Sequence, residues 1–439
     1  MEGAITARNG CAMLPSPSIR ASVADHISAS RVFRPKCRSR SKQRTTISAM
    51  RQPYFLWQGR ALRSRLIRAR TWRILSETAL LAIYFLLFAW NILNGGVCMR
   101  VIALRVFLVT CALVQPLTAQ IAASCAPAGN IQFVCGQEAP EDLLHLPGSD
   151  WVIASSMAGN GGIRLISVRG KTSTLLYPSS STKEQLDRKT YDTCPGAPEA
   201  DDKAKFTTHG LAMRTVRNSI YTLYAVHHGK RESIEVFQVD AHSKTPVLTW
   251  IGCAIAPDPI GLNSVVPLPG GGFVATNFLE RGANASAART KMMAGEDNGE
   301  LWEWHTGEGW RKVPGSEAAG ANGVEVSNDG KWLYVAAWGS QSFLRLSRGH
   351  TPVKRDTLPL GFRVDNIRFA PDGSILAAGQ GQQTTNVVRV DSGTLKITEL
   401  INQPNTESFA SGTVAIPIGN DLWVGSFRGD RIAIFPAFK

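Results

Sequence analysis

The sequence predicts an all-β fold, a six-bladed β-propeller, over residues 125–439. Two features lead there: a hairpin pattern recurs six times, and a pair of residues led by a polar side chain stands just ahead of each copy. The copies are "LLHLPGSDWVIASS" from Leu143, "LAMRTVRNSIYTLYAV" from Leu211, "VVPLPGGGFVATN" from Val265, "VEVSNDGKWLYVAAW" from Val324, "IRFAPDGSILAAGQ" from Ile367 and "VAIPIGNDLWVGSF" from Val414. Each is a short alternating strand, a turn rich in Gly, Pro, Asn or Asp, and a second strand, which is hairpin chemistry. The copies start 43 to 68 residues apart, leaving room for two further strands per unit. Six four-stranded units make a propeller, in which radial repetition leaves only short sheet edges. A β-sandwich is the alternative, but it leaves so regular a repeat unexplained.

The pairs ahead of the copies are Glu141-Asp142, His209-Gly210, Asn263-Ser264, Asn322-Gly323, Asp365-Asn366 and Ser411-Gly412. In a propeller the innermost strands of all blades line one channel. Matching positions at their starts therefore form a ring at one mouth of it. This ring is rich in carboxylate and amide oxygens. Such a set suits calcium, which takes six to eight oxygen ligands in loose geometry, better than magnesium with its octahedral demand. Zinc would call for more His or Cys. Turn preference alone accounts for any one Asn, Asp or Gly, but poorly for six aligned pairs. The fold class is therefore a six-bladed propeller with a central calcium site.

Charge separates the front of the chain from the rest. The formal net charge is +14, yet residues 1–118 hold eighteen Lys/Arg and three Asp/Glu, so the remainder carries −1. The propeller thus has no electrostatic basis for binding nucleic acid. Residues 1–98 read as a basic, disordered or upstream extension with a short apolar run at 79–93, shorter than a bilayer needs. Residues 99–124, "MRVIALRVFLVTCALVQPLTAQIAAS", follow the pattern of a signal peptide, a basic start, an apolar stretch and small residues. The expectation is export to a periplasmic or secreted location. The alternative is that the apolar runs at 79–93 and 99–124 anchor the chain in a membrane. Cys125 sits in a weak lipidation signal.

Four of the eight cysteines, Cys125, Cys135, Cys194 and Cys253, follow the signal segment. An exported chain with four thiols permits disulfides. Cys194 in the loop "DTCPGAP" and Cys253 at the end of "LTWIGC" are the expected pair, with four buried thiols as the alternative.

The motifs "EDLLHLP", "HGLAM", "AVHHG", "LNSVVPLP", "ANGVEVSNDGKWLYVA" and "VDNIRFAPDG" resemble the paraoxonase/arylesterase family of calcium-dependent six-bladed propellers, over most of 125–439. Strictosidine-synthase-like proteins and gluconolactonases share the architecture more distantly. The resemblance implies a catalytic calcium held by Glu141, Asn263, Asn322, Asp365 and Asn366, residues the repeat already picks out. It implies a second, structural calcium held by Asp142, the Leu211 carbonyl and Ser264. Ser264 departs from the Asp expected there, so affinity at the second position falls or vanishes. The family's histidine dyad maps onto His209 and His228. His227 fills a position usually Asn, which leaves open which of the adjacent pair faces inward, since neighbouring strand residues point to opposite faces.

The expected function is calcium-dependent hydrolysis of a small-molecule lactone or activated aryl ester, with His209 as general base and His228 assisting. Two alternatives stand: a binding or scaffold propeller whose calcium is structural, and a strictosidine-synthase-like enzyme. Residues 279–300 form a long insertion after an inner hairpin, expected to shape the substrate mouth, with plain disorder as its rival.

Overall fold

The computed structural model of the chain describes residues 125–436, and these form six sheets, antiparallel except where the outer strand Lys183–Glu184 of blade 2 pairs parallel with Val247–Ile255. The extension 1–98, its apolar run 79–93 and the segment 99–124 lie outside the described residues. The innermost strands of blades 1 to 6 are Leu143–His145, Thr207–Arg217, Leu262–Pro267, Ala321–Val326, Arg363–Phe369 and Gly412–Ile418. Each pairs with the next strand of the predicted hairpin. They neighbour one another in chain order, and the sixth returns to the first, so the ring is closed.

The turns behave as their residues dictate. In the blade 5 hairpin "APDGS", Ala370 and Ser374 close the turn by a 2.8 Å backbone hydrogen bond, and Gly373 takes the left-handed conformation at φ 81°. A side chain there would be strained, which is why glycine occupies the position.

Blade 6 is completed from the other end of the chain. Strand Gln132–Cys135 pairs antiparallel with Arg431–Phe435, from Gln132 opposite Ile434 to Cys135 opposite Arg431. A disulfide between Cys125 and Cys135 ties this closing strand to the segment before it. A second disulfide joins Cys194 to Cys253, as expected from the sequence. Two disulfides are a mark of an oxidising compartment. Among the described residues no helix is long and apolar enough to cross a membrane.

The inner strands share one irregularity. In blades 2 to 6 the register with the neighbouring strand shifts between Thr208 and Leu211, Leu262 and Val265, Ala321 and Val324, Val364 and Ile367, and Gly412 and Ala415. Two residues per strand therefore fall out of the ladder, and bulges of this kind re-aim side chains. In blades 2 to 5 the excluded residues are the polar pairs of the repeat. In blade 6 they are Thr413 and Val414, which corrects the expected Ser411-Gly412. Gly412 imitates the glycines at 210 and 323 in sequence, but it still belongs to the ladder.

Candidate metal centre and histidine relay

The five expected ligands are all buried: Glu141, Asn263, Asn322, Asp365 and Asn366 are each at most 5% exposed. Tight strand approach brings them together. A Cβ on Gly210 would collide with the Asn263 backbone oxygen, and one on Gly323 would lie 2.7 Å from that of Asp365. Glycine at these two positions lets adjacent inner strands close on the channel.

Side-chain contacts span the ring. Asn366 Nδ2 donates to Glu141 Oε1 at 2.6 Å, across blade 6. Asn263 Nδ2 meets His209 Nε2 at 3.3 Å, and His209 Nε2 lies 3.8 Å from Glu141 Oε1. The Asn322 side chain hydrogen-bonds the Asp365 carboxylate. Gln380 Nε2, at the end of the second strand of blade 5, donates to Asp365 Oδ2 at 2.6 Å and to the Gly412 carbonyl at 2.7 Å. Thr413 Oγ1 donates to the Glu141 carbonyl at 2.6 Å.

One acceptor is left over on four of the five. Glu141 Oε2, Asn263 Oδ1, Asn322 Oδ1 and Asn366 Oδ1 are buried without a hydrogen-bond partner. An unpaired buried acceptor costs about 1–3 kcal/mol, more if charged. Four in one ring are therefore a set a cation would satisfy, and oxygen-only donors suit calcium. Among the described residues no three His, Cys, Asp or Glu side chains group as a metal cluster. The set here differs in taking three of its five members from asparagine.

Charge points the same way. The Glu141 carboxyl is pushed well above its usual range by burial first, then by the nearby Asp142 and Asp365 charges. Burial pushes Asp365 up to about 7, against the pull of its Gln380 and Asn322 hydrogen bonds. A divalent cation beside them would favour the ionised forms.

The histidines are ordered as a relay. His209 Nδ1 and His228 Nε2 are 2.9 Å apart. His228 Nδ1 lies 3.0 Å from both carboxylate oxygens of Glu232, which also accepts from the Leu262 backbone N–H at 2.6 Å. An anionic Glu232 accepts from His228 Nδ1–H, so His228 Nε2 accepts from His209 Nδ1–H, and His209 Nε2 carries the lone pair beside Asn263 and Glu141. Burial first, and then His228, pull the His209 pKa well below its ordinary 6.5. His227 points the other way, fully buried, stacked on Phe206 and 3.3 Å from Asp202 Oδ2. His228 is thus the inward member of the adjacent pair. Glu232 was not singled out in the sequence, where it reads as a turn charge; its position four residues after His228 is the only signal.

The residues expected to hold a second cation are differently engaged. Asp142 Oδ1 accepts from the Leu143 N–H at 2.8 Å and Oδ2 from the Leu211 N–H at 2.7 Å. The Arg368 guanidinium also donates to Asp142 Oδ2, and to the Leu211 carbonyl at 2.9 Å. Ser264 is buried, with no partner for its Oγ.

The insertion after blade 3's hairpin folds as a short 3-10 turn, Gly282–Asn284, and a helix, Ala285–Met293, with Ala288 and Met292 buried. It connects the second and third strands of blade 3, on the mouth where the inner strands begin. Met293 Sδ lies 3.7 Å from Arg363 Nη1, and the Arg363 guanidinium stacks 4.0 Å above the Trp338 ring. Trp338 Nε1 donates to Gln380 Oε1 at 3.0 Å. The insertion is therefore linked to Asp365 through four side chains.

No protein-family model matches the chain, and no curated protein is similar to it in sequence. Solved structures similar to it include a luciferin-regenerating enzyme (12% identity over 71% of this chain and 96% of that one, TM-score 0.45). Others are the PQQ-bound aldose sugar dehydrogenase of Streptomyces coelicolor (14%, 70% and 99%, 0.45) and the calcium-binding protein regucalcin of Agrobacterium tumefaciens (12%, 69% and 92%, 0.43). At these identities and scores the likeness assigns no activity to this chain.

Proposed function

We propose that this chain is an exported, calcium-dependent hydrolase of small-molecule lactones or activated aryl esters, of the paraoxonase/arylesterase kind its motifs resemble. The observation that supports it most is the juxtaposition of two features. A Glu232–His228–His209 relay ends on a ring nitrogen, and that nitrogen lies beside a set of buried oxygens without partners. A structural cation site has no use for a titratable neighbour backed by a carboxylate, whereas a hydrolase does.

Glu141, Asn263, Asn322, Asp365 and Asn366 would hold the calcium. When bound, it supplies a Lewis acid that polarises the scissile carbonyl and offsets the negative charge developing on its oxygen. His209 Nε2 takes a proton from water as the water oxygen attacks the carbonyl carbon, and later returns that proton to the leaving oxygen. His228 and Glu232 hold His209 in the tautomer with a free Nε2 and disperse the positive charge it gains. Met293, Arg363 and Trp338 flank the mouth and are suited to an apolar or aromatic substrate. Export rests on the signal pattern after Met99, with membrane anchoring through the front of the chain as its rival.

The test is a screen of lactones and aryl esters with wild type and His209→Gln, each with calcium and with chelator. Turnover that needs both calcium and His209 supports the assignment. Absence of turnover with a calcium-loaded protein would favour a binding propeller instead.

A further inference from the structure

The channel contains a cation that is part of the chain. Arg368 lies on the inner strand of blade 5 and is only 6% exposed. Its Nη2 donates to Asp142 Oδ2 in blade 1 and to the Leu211 carbonyl in blade 2. Its Nη1 donates to its own strand at the Ile367 carbonyl, 2.8 Å, and lies 3.6 Å from Glu325 Oε1 in blade 4. One guanidinium thus ties together the inner strands of four blades.

Three of these facts bear on a second metal. The Asp142 carboxylate and the Leu211 carbonyl, two of the three oxygens that the family resemblance assigns to a structural calcium, are both taken by Arg368. The third position, Ser264, lacks the carboxylate expected there. The two departures compensate. One carboxylate is lost at 264 and a monovalent guanidinium stands in place of a divalent ion, so the local charge changes by one unit on each side. The donor set that remains does not fit a second metal.

We infer that Arg368 is a tethered replacement for a structural cation, so that no divalent ion binds at this second position and the channel stays stapled without one. A guanidinium suits this role because its planar fork of donors stays charged at every accessible pH and satisfies several acceptors at once. The position opens onto a cavity of about 380 Å³ at the far mouth of the channel, which Arg368, Leu211 and Glu325 help to line. An ion from solvent therefore has a route to it if the arginine is removed.

The inference is independent of the proposed hydrolysis and is tested by counting metal. The full-length protein, saturated with calcium and freed of excess, is assayed for bound calcium by elemental analysis beside the double variant Arg368→Ala/Ser264→Asp. The expected result is one more calcium per chain in the double variant than in wild type, whatever the wild-type number. Loss of the ring ion, a failure of the metal-centre assignment, would lower both counts equally and leave this difference intact. A folded double variant with no extra calcium overturns the inference. Should that variant not fold, wild type decides alone: two calcium ions bound per chain would overturn the inference, and one or none would uphold it.

Discussion

Asn366 and Glu141, 225 residues apart in sequence, meet in the channel through a 2.6 Å hydrogen bond, and each keeps one oxygen without a partner. The amide hydrogens within the ring are spent on holding neighbours, while the oxygens stay available. Gln380 extends the arrangement outward by fixing the Asp365 carboxylate. Removing such an outer partner typically costs 10–100-fold in metal affinity. Gln380→Leu should therefore weaken calcium binding by about 10–100-fold with the fold intact, as read by calorimetric titration. Unchanged affinity would mean that Asp365 is not a ligand.

The relay makes a graded prediction. His209→Gln removes the base and should lower kcat on the best lactone or ester by about 10²–10⁴-fold, with calcium stoichiometry unchanged. Glu232→Gln leaves the base in place but no longer favours the charged relay, so its loss should be smaller and confined to kcat. A Glu232→Gln loss as large as that of His209→Gln would assign the carboxylate a more direct role.

Activity should persist into mild acid. Burial and His228 hold the His209 pKa well below 6.5, so the neutral base is lost only when pH falls through that lowered value. A rate profile that breaks near 6.5 or above would show that His209 is not the group being titrated.

Stability without metal should depend on pH in a defined direction. Asp365, ordinarily at 3.8, is pushed up to about 7, and Glu141 is also raised. The metal-free folded chain then binds protons that the unfolded chain has released. Their stabilising effect is complete below about 4 and is lost as pH rises through about 7. With chelator present, Tm should fall between pH 5 and pH 8, and saturating calcium should remove most of that fall. A chelated protein whose Tm rises over this interval would contradict the sign.

Gly323 should tolerate no side chain, since a Cβ would sit 2.7 Å from the Asp365 backbone oxygen. Gly323→Ala should destabilise the protein by about 1–3 kcal/mol, the usual cost of overpacking, as measured by denaturant unfolding.

Most of the blade architecture is visible in the sequence because it is local. Period-two alternation and left-handed turn residues such as Gly373 mark hairpins without tertiary information. Four of the five candidate ligands, Asn263, Asn322, Asp365 and Asn366, are visible because a bulge recurs at the same point of the inner strands of blades 2 to 5, so the polar pairs align. What escapes is non-local. Strand Gln132–Cys135 closes blade 6 from the opposite end of the chain, and nothing in its own residues names Ile434 as a partner. Arg368 reads as an ordinary solvent-facing charge in an alternating strand until Asp142 and Leu211 are seen around it. Thr413 was missed because Gly412 mimics the ring glycines two residues too early.

Whether the channel oxygens hold calcium is decided by calorimetric titration of chelator-treated protein. Wild type should bind one calcium per chain at the ring, and Asp365→Ala, which removes one of its two charged ligands, should lose that tight binding. Equal stoichiometry and affinity in wild type and Asp365→Ala would contradict the account.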